Sequence, residues 1–293
     1  MHKSQPLVSV VVPCYNHAGF VEDCLRSILK QSYRNFELII LDDGSPDNSK
    51  QVIENFINKL TDSPQRIYFD SHKNIGLCAT LNKGIALARG EYVVTFASDD
   101  IMMLDRLEKQ VAYLEANPDV GVCGGSMLGI DDNGVILSKQ KTLSACTLDF
   151  DDIFWRNNGG PAAPTAMIRK SALDEAGDYD PNSGIEDLYM WLKITANGHK
   201  IGIVSDVLAY YRSHDNNMHN NYAWMIDNIQ KIYSGYQDHP KYPEVLDNFL
   251  TSMFVKTAKK DKAIAWSLLK DLDWSRQTNK KIKGLMRLVF SWF

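Results

Sequence analysis

Two pairs of adjacent acidic residues are placed where their carboxylates could take part in chemistry. Asp99 and Asp100 follow the apolar run VVTFAS, and they could bind Mg²⁺ or Mn²⁺, which prefer carboxylate, water and phosphate oxygens. Glu186 and Asp187 open a segment with helical periodicity, where the helix dipole favours a charged carboxylate able to accept a proton from a hydroxyl. A metal site and a general base are therefore the chemical interpretations of these two pairs.

A third acidic pair, Asp42-Asp43, follows the apolar run ELIIL and precedes Gly44-Ser45. Paired acids in a loop usually belong to turns or helix caps, and acids at a helix start usually only compensate the helix dipole. Each pair taken alone therefore has a structural interpretation as well as a chemical one. The order of the three pairs along one α/β chain is what favours the chemical interpretation.

The first hundred residues alternate short apolar runs with segments of helical periodicity, which is typical of βαβ units and a mainly parallel sheet. The predicted strands are Leu7–Val12, Glu37–Leu41, Arg66–Phe69 and Glu91–Phe96, and the predicted helices lie near 17–31, 47–60 and 76–88. Because ligands of open α/β sheets bind outside the carboxyl ends of the strands, we expect the loops after the first, second and fourth strands to share one crevice.

The second part of the chain predicts a helix over 104–117, a strand at Val120–Met127 and a hairpin turn at 131–134. A Gly/Pro-rich stretch at 157–164 is expected to form a loop on a functional rim. A strand at Thr165–Arg169 and a helix from about Ile185 to Ala196, ended by Asn197-Gly198, are expected next. After residue 220 the pattern predicts helices only.

Charge is distributed unevenly along the 293 residues, whose net charge is −4. From Lys256 onward ten basic residues stand against three acidic ones, a net charge of +7 that leaves −11 for residues 1–255. An acidic body disfavours nucleic acid as a partner, whereas a basic end suits an anionic surface. The tail KKIKGLMRLVFSWF at 280–293 is too short to span a bilayer. It could lie on a membrane surface as an amphipathic helix, or pack on the catalytic domain as a terminal helix.

The five cysteines form no C-x-x-C pair and are odd in number, which argues against both a disulfide framework and a structural zinc site. No apolar run of about 18 residues and no signal-peptide pattern is found. These observations predict a cytoplasmic protein, with peripheral attachment to the inner face of the membrane through the 280–293 tail as an open alternative.

Four stretches of the chain carry motifs of one enzyme family. They are VSVVVPCYNH at 8–17, SILKQSYRNFELIILDDGSPDNS at 27–49, NIGLCATLNKGIALARGEYVVTFASDD at 74–100 and GIEDLYMWLKITANGH at 184–199. In these motifs the chain resembles the family 2 glycosyltransferases, inverting enzymes of the GT-A fold, over roughly residues 6 to 220. The resemblance implies an α/β, Rossmann-like, mainly parallel sheet flanked by helices, with a helical C-terminal appendage.

The expected domains are a catalytic domain over 1–220 and a helical C-terminal region over 221–293. The catalytic domain would comprise a nucleotide-binding half of about 1–100 and an acceptor half of about 101–220.

The resemblance implies a set of nucleotide-sugar-binding residues in the loops after the first strands. They are Pro13, Tyr15, Asn16, Asp43, Asn74, Gly76 and Asp99. The first three would hold the nucleoside, and Asp43 would meet its base or ribose. Asp100 would be the metal ligand, because Ser98-Asp99-Asp100 stands at the family's D-x-D position. Ser98 replaces the first acid of that motif, which leaves open whether position 98 or 99 holds the ribose.

The same resemblance implies residues for the transfer step. Asp187 would be the catalytic base, with Glu186 as the alternative. Arg212 and His214 match a late Arg-x-His segment whose side chains can reach the metal or the pyrophosphate, and an ordinary surface histidine is the alternative interpretation of His214. Independently of the resemblance, Trp155 and Trp191 could stack on an acceptor sugar, with a place in the core as the alternative interpretation of both, and Trp155 is the candidate for the site rim. The expected cofactor is Mn²⁺ or Mg²⁺, and the expected partners are a nucleotide-sugar donor and a glycan or lipid-linked acceptor.

The leading hypothesis is transfer of a single sugar, from a UDP-sugar, to a lipid-linked or surface glycan precursor in polysaccharide or lipopolysaccharide biosynthesis. One alternative is a catalytically inactive protein of the same fold that binds carbohydrate or nucleotide or serves as a scaffold. A sugar-nucleotide-forming nucleotidyltransferase is disfavoured, because PCYNHAGF offers neither a Gly-rich loop nor basic residues for a triphosphate. The absence of G-x-G-x-x-G excludes an NAD-dependent enzyme.

Overall fold

The computed structural model describes residues 5–60, 65–137, 142–155, 160–213, 221–276 and 278–290. The chain divides into two compact units. The first, here called the sheet unit, comprises Met1–Asn182 and Glu186–Asp215. The second, called the helical unit, comprises Ser183–Ile185 and Asn216–Phe293.

Four parallel strands form the first half of the sheet unit. They are β1 (Val8–Cys14), β2 (Phe36–Asp42), β3 (Ile67–Ser71) and β4 (Tyr92–Thr95), in the spatial order β3-β2-β1-β4. They are connected by helices α1 (Val21–Leu29), α2 (Ser49–Asn58) and α3 (Leu77–Leu87). All four predicted strands and all three predicted helices are therefore confirmed, with small shifts at their ends. Because the order reverses at β1, a crevice opens between the carboxyl ends of β1 and β4.

Mainly antiparallel pairings extend the sheet beyond β4. The further elements are β5 (Ile101–Met102), α4 (Arg106–Ala116), β6 (Val120–Ile130), β7 (Cys146–Leu148), α5 (Phe150–Phe154), a 3₁₀ turn (Ala163–Thr165), β8 (Met167–Arg169), α6 (Lys170–Ala176), α7 (Glu186–Ala196) and β9 (Lys200–Arg212). The nine-stranded sheet has the order β3-β2-β1-β4-β8-β6-β9-β5, and β7 pairs with β9.

The sequence prediction missed the longest strand, β9, which has thirteen residues. Ser205-Asp206 interrupts its apolar pattern, and the register of its parallel pairing with β6 shifts near the same point, between Gly124 and Ser126. An irregular ladder of this kind leaves no clean alternation in the sequence. The predicted hairpin turn is present, with Gly134 at a φ of 80° and a bridge between Ile130 and Ile136.

The parallel strands are buried on both faces, which explains their continuous apolar runs. Val8, Val10 and Val12 share a core with α1. On the opposite face α3 approaches β1 closely, because a Cβ at Gly84 would lie 2.3 Å from Val11 Cγ1. This tight packing fixes the first turn of α3 at the carboxyl edge of the sheet, where the candidate site lies.

The helical unit contains helices only among its described residues, as the sequence predicts. They are α8 (Tyr222–Ser234), α9 (Tyr242–Lys260), α10 (Lys262–Leu268) and α11 (Asn279–Phe290), and the other three pack against α9. The buried Lys281 Nζ lies 2.7 Å from Asp247 Oδ2 and also donates to two backbone carbonyls, so its charge is fully compensated. In the described part of the chain, no helix has the length and apolar character needed to cross a bilayer.

Candidate functional site

The loops after β1 and β2 are joined by hydrogen bonds at the carboxyl edge of the sheet. Asp43 N–H donates to the Cys14 carbonyl at 2.8 Å, and Asn16 N–H donates to Ser45 Oγ at 3.0 Å. Asn16 adopts a φ of 59°, a left-handed conformation that asparagine tolerates better than most residues. These bonds hold the Tyr15-Asn16 tip beside the Asp43 loop, as the shared crevice requires.

Asp43 organises the segment that leads into α3. Its buried carboxylate accepts the N–H of Ile75 at 2.7 Å and of Gly76 at 3.0 Å, while Asn74 Nδ2 donates to the Asp43 carbonyl at 3.0 Å. Gly76 precedes α3 with a φ of 87°, a conformation that favours glycine. The structure thus brings Asp43, Asn74 and Gly76 together, and both carboxylate oxygens of Asp43 are engaged by the backbone.

Three large apolar side chains are exposed beside these loops. Tyr15 is 49% exposed, Ile75 50% and Leu77 46%. Exposed apolar groups at the carboxyl edge of such a sheet can cover the flat face of a nucleotide base. Sequence reasoning identified Tyr15 from its motif but missed Ile75 and Leu77, because the pattern alone assigns apolar residues near a helix start to the core.

Pro13 lies within β1, where a missing N–H would ordinarily weaken the sheet. The ladder between β1 and β4 ends at Val11 and Thr95, so Pro13 stands beyond it and costs no bond to β4. The proline is half-buried directly before the loop tip. Its rigid ring therefore helps to fix the direction in which the chain leaves the sheet.

Asp100 is fully buried at the end of the loop after β4. Its Oδ1 accepts the N–H of Arg212 at 2.9 Å, whereas Oδ2 is buried without a hydrogen-bond partner. Burial and the neighbouring charge of Asp99 raise the pKa of Asp100 to about 8. A cation at Oδ2 would supply the interaction that this oxygen lacks, so Asp100 fits the role of a divalent metal ligand.

Asp99 and a histidine form the other wall of this acidic pocket. Asp99 Oδ2 lies 3.8 Å from His17 Nε2, and His17 Nδ1 lies 2.8 Å from Ser98 Oγ. No cluster of three or more acidic, histidine or cysteine side chains capable of holding a metal occurs in the described ranges. The donor set of Asp99 and Asp100 therefore fits an ion that takes its remaining ligands from water and phosphate oxygens, as Mg²⁺ commonly does.

Arg212 is buried and holds three loops together. Its Nε donates to the Asp99 carbonyl at 2.9 Å, and its Nη1 donates to the carbonyls of Asp131 and Asp132 at 3.0 and 2.9 Å. The guanidinium also lies 4.8 Å from the ring centroid of Phe20. These partners differ from the pyrophosphate contact expected from the sequence, since the bonded nitrogens already serve the protein backbone.

Arg106 is a second buried cation that sequence reasoning missed. It is fully buried in α4, where Nη1 and Nη2 donate to the carbonyls of Pro164 and Ala166 at 2.5 and 3.0 Å. Burial lowers the pKa of Arg106 to about 9, while the charge of Asp100 opposes that change. Arginine in a helix is usually exposed, so only the spacing of four residues to the buried Gln110 hinted at this position.

Glu186 and Asp187 occupy the first turn of α7, and both are half-buried. Burial and the charge of Asp187 raise the pKa of Glu186 to about 7. A carboxyl group whose pKa lies near neutral can exchange a proton under the conditions in which a transferase works. This is the electrostatic behaviour expected of a general base.

Tyr179 connects the acidic pair to the end of β4. Its fully enclosed hydroxyl is hydrogen-bonded to the Thr95 side chain, and burial together with the charges of Glu186 and Asp187 raises its pKa. Glu186 likewise contributes to the raised pKa of Cys78, in the first turn of α3, after burial as the main cause. The acidic pair is therefore within electrostatic range of the same sheet edge that carries Asp99, Asp100 and Gly76.

We predict that Glu186→Gln changes how stability depends on pH. Because folding raises the pKa of Glu186 from 4.5 to about 7, the wild type should lose stability as pH rises between these values. Glutamine resembles the protonated acid and should remove this loss, worth about 1–3 kcal/mol above pH 7. Thermal unfolding would show equal Tm values near pH 4.5 and a higher Tm for the variant near pH 8. A difference in Tm between wild type and variant that is the same at both pH values would contradict a raised pKa for Glu186.

The structure describes the two tryptophans considered as acceptor contacts, whereas one expected site residue lies outside the described residues. Trp155 is half-buried at the end of α5, which packs against α7. Trp191 is buried in α7, and its Nε1 donates to the Pro161 carbonyl at 3.2 Å, so it belongs to the core. His214 lies outside the described residues, and its expected role as a metal ligand stays a prediction.

Comparison with known proteins identifies similar chains. The family described as Glycosyl transferase family 2 matches residues 9–177, more than half of the chain. An uncharacterized glycosyltransferase of Methanocaldococcus jannaschii is 31% identical over 234 residues, which cover 79% of this chain and 78% of the relative. The amylovoran biosynthesis glycosyltransferase AmsE of Erwinia amylovora is 28% identical over 223 residues, which cover 74% of this chain and 80% of AmsE.

Two solved structures are similar over most of the chain. TarS of S. aureus, in complex with UDP-GlcNAc, has a TM-score of 0.68 at 21% identity and covers 90% of this chain and 80% of that chain. The mannosyltransferase PcManGT of Pyrobaculum calidifontis, in complex with GDP-Man and Mn²⁺, has a TM-score of 0.64 at 17% identity and covers 97% and 85%. At these identities the likeness concerns the fold.

Proposed function

Because this chain belongs to glycosyl transferase family 2 and has the GT-A fold, we propose that it transfers a single sugar from a nucleotide diphosphate to an acceptor hydroxyl, with inversion at the anomeric carbon. The class of reaction follows from the family. The donor, the metal, the base and the acceptor are proposed from the residues of the site.

The observation that carries this proposal is the pairing of two different acidic sites at one sheet edge. Asp100 is buried with one unpartnered oxygen, which suits a cation. Asp187 is half-buried beside Glu186, whose raised pKa suits proton exchange near neutral pH. A nucleotide-sugar transferase needs both functions, because charge develops on the leaving phosphate while a proton leaves the acceptor.

In the proposed step the acceptor oxygen attacks the anomeric carbon of the donor sugar and forms the new glycosidic bond. The bond between that carbon and the oxygen of the β-phosphate breaks, and the nucleoside diphosphate leaves with the bonding electron pair. Asp187 takes the proton of the attacking hydroxyl, with Glu186 as the neighbour that tunes its protonation. No other reactant is required.

Asp100, assisted by Asp99, would hold Mn²⁺ or Mg²⁺. When bound, such an ion neutralises charge on the pyrophosphate oxygens. The same acids would be costly to bury without it, and this supports the assignment. His214 stays a proposed additional ligand.

We propose that the nucleoside lies against the loops after β1 and β2. Tyr15, with Pro13 behind it and Asn16 beside it, would cover the base, and Asn74 and Gly76 would line the pocket. Asp43 would act mainly by holding the latter two residues in place, because its carboxylate is bonded to that segment. A UDP-sugar is the proposed donor, in line with the complex of TarS with UDP-GlcNAc, although GDP-Man in PcManGT makes GDP-sugars a necessary comparison.

Arg212 is proposed as a positioning residue rather than a pyrophosphate ligand. It fixes the Asp99 carbonyl and the 131–132 turn, and its own N–H binds Asp100 Oδ1. The arginine thereby holds both acids of the metal pocket in register. Its positive charge still favours phosphate nearby.

The proposed acceptor is a lipid-linked or surface glycan precursor, with Trp155 as a stacking surface near α7. The biosynthetic role of AmsE in amylovoran formation supports a place in surface polysaccharide assembly. An enzyme acting on such a precursor would work at the inner face of the membrane. An inactive carbohydrate-binding protein of the same fold is the alternative that experiment must exclude.

Thermal unfolding with UDP, GDP, dTDP and CMP, each with Mn²⁺ or with a chelator, tests the donor site. A ligand at about 100 times its Kd stabilises the folded state by about 2.7 kcal/mol, which shifts Tm by several degrees. We expect the largest increase in Tm with UDP, and we expect this increase to require the metal. The absence of a shift with every nucleotide, in a folded sample, would contradict the proposed function.

A further inference from the structure

Helix α11 has one face that is buried inside the helical unit and a second, apolar face that is not. Lys281, Gly284 and Leu288 are buried against the rest of the unit. Gly284 permits a close approach to α9, because a Cβ at this position would lie 2.3 Å from the Phe254 ring. The packing requirement of an ordinary terminal helix is therefore already met by this face.

The second apolar face of α11 is exposed. Ile282 is 50% exposed, Met286 58%, Val289 52% and Phe290 72%. At about 100° per residue these four fall within an arc of about 100°, on the side away from the buried face. We call them the α11 stripe. Four large apolar side chains in one exposed row are unusual for a surface without a partner.

Basic side chains lie beyond one edge of the α11 stripe. Around the helix axis, Lys283 lies next to Phe290, just beyond the edge of the arc. The exposed Lys280 lies further round the helix on the same side. The exposed Trp274 is carried by a segment that Lys281 holds to the start of α11 through the carbonyls of Asp273 and Arg276. Apolar groups bordered by lysines, with a tryptophan nearby, match the layered chemistry of a membrane interface with anionic lipids.

We propose that the α11 stripe docks the protein on an anionic lipid surface, with the apolar side chains inserted and Lys280 and Lys283 against the head groups. A protein partner for the same face would need acidic groups opposite the lysines, and the net charge of +7 from Lys256 onward favours a surface of extended negative charge. This inference does not depend on the assignment of the catalytic residues.

Flotation of the full chain with vesicles tests this inference, comparing phosphatidylcholine alone with phosphatidylcholine containing phosphatidylglycerol. We expect binding to the anionic vesicles only, weakened at high salt. The double variant Met286→Asp and Phe290→Asp should bind at least about tenfold more weakly, and Lys280→Glu with Lys283→Glu should show a similar loss. The matched controls Leu104→Asp and Lys50→Glu alter an exposed leucine and an exposed lysine of the sheet unit and should bind like the wild type.

Unchanged Tm values would establish that the variants are folded, as expected for exposed positions. The inference is overturned if the wild type does not float with anionic vesicles, or if the apolar variant floats equally well. It is also overturned if the α11 stripe instead mediates self-association, seen as a concentration-dependent mass that the apolar variant abolishes without any lipid binding.

We also infer a positioning residue for the acidic pair, a second inference that rests on the proposed function. Asn82, in α3, forms two hydrogen bonds with the backbone of Tyr179. Asn82 Nδ2 donates to the Tyr179 carbonyl at 2.8 Å, and the Tyr179 N–H donates to Asn82 Oδ1 at 2.9 Å. The side chain thus holds a segment distant in sequence against α3, the helix that Gly76 precedes. The amide side chain thus acts both as a hydrogen-bond donor, through its NH₂ group, and as an acceptor, through its oxygen.

The clamp has a consequence for Glu186 and Asp187. Tyr179 is buried with its hydroxyl bonded to Thr95, within electrostatic range of both acids. Asn82 therefore links α3, whose start is held by Asp43, to a tyrosine that lies within electrostatic range of the acidic pair. Asn82 acts as a positioning residue that fixes the acids relative to the donor loop, without contacting the reacting atoms.

Steady-state kinetics of Asn82→Ala test this role. We expect kcat to fall by about tenfold or more, with donor KM within about twofold and an altered acidic limb of the pH profile. Asn55→Ala, at an exposed position of α2, is the matched control and should be unchanged. Tyr179→Phe retains the backbone clamp and should reduce kcat less than Asn82→Ala.

A folded Asn82→Ala variant with wild-type kcat and pH profile would overturn the positioning role. Equal loss of nucleotide binding and of kcat would also overturn it, because the clamp would then serve the donor loop. If Asp187→Asn also retained activity, the proposed base would fail. If Asp187→Asn were inactive while Asn82→Ala kept the wild-type kcat and pH profile, only the proposed role of Asn82 would be wrong.

Discussion

Replacement of Asp187 by Asn should lower sugar transfer by about 10²- to 10⁴-fold, the usual contribution of a general base, while donor binding stays within about twofold. Asparagine keeps the size of the side chain and can still accept the Leu188 N–H, which Asp187 Oδ1 accepts at 2.6 Å. It cannot take a proton from the acceptor hydroxyl at neutral pH. The change therefore removes the chemical function with little change in structure.

Release of nucleoside diphosphate measures this loss, and thermal shift with the same nucleotide measures binding. Asp227→Asn, at an exposed position of α8, is the matched control and should leave both unchanged. Glu186→Gln should retain most activity and move the acidic limb of the pH profile to lower pH, because the shared charge is removed. Full activity of Asp187→Asn together with an inactive Glu186→Gln would assign the base to Glu186 instead.

Replacement of Asp100 by Asn should have opposite effects on activity and on the stability of the metal-free protein. Activity should fall by at least about 10²-fold, because the principal carboxylate for the ion is lost. The metal-free protein should become more stable, since Asp100 buries an oxygen without a hydrogen-bond partner and the neutral amide is cheaper to bury. A functional group held at the expense of stability is expected to behave in this way.

Thermal unfolding of both proteins with a chelator, with Mn²⁺, and with Mn²⁺ plus nucleotide measures these effects. Wild type should gain stability with metal and nucleotide, and Asp100→Asn should not. The control Asp132→Asn changes an exposed acid of the turn bonded to Arg212 through its carbonyl and should respond like the wild type. An Asp100→Asn variant with the wild-type response to Mn²⁺ would contradict the metal assignment.

The half of the fold that could be predicted from the sequence is the half built from local patterns. The strands β1 to β4 are continuous apolar runs, and their loops share one edge because parallel strands all end there. Asp43, Asn74 and Gly76 lie together for this reason. The strand β9 could not be predicted, because Ser205-Asp206 and an irregular register erase its alternation.

The acids of the site were predictable from the sequence, whereas Arg106 was missed and the backbone partners of Arg212 were not foreseen. Carboxylates at strand and helix ends are recognisable from local spacing. The buried Arg212 instead donates hydrogen bonds to carbonyls as far as 113 residues away in the chain, which no local pattern indicates. The family resemblance separates Asp100, as the metal ligand, from Asp99, but the sequence pattern itself gives no physical reason for a difference between them. That difference arises because Asp100 Oδ1 is held by the Arg212 N–H while Oδ2 is left without a partner.

The most direct test of the account is the release of nucleoside diphosphate from a panel of nucleotide sugars by the wild-type chain, with Mn²⁺ and with a chelator. Water can replace the missing acceptor at a slow rate, so the panel requires no knowledge of the natural acceptor. We predict that one donor, of the UDP class, is cleaved above background, that cleavage requires the metal, and that Asp187→Asn abolishes it. Binding of a nucleotide without cleavage of any donor sugar, with or without metal, would contradict the account and favour a binding protein of the same fold.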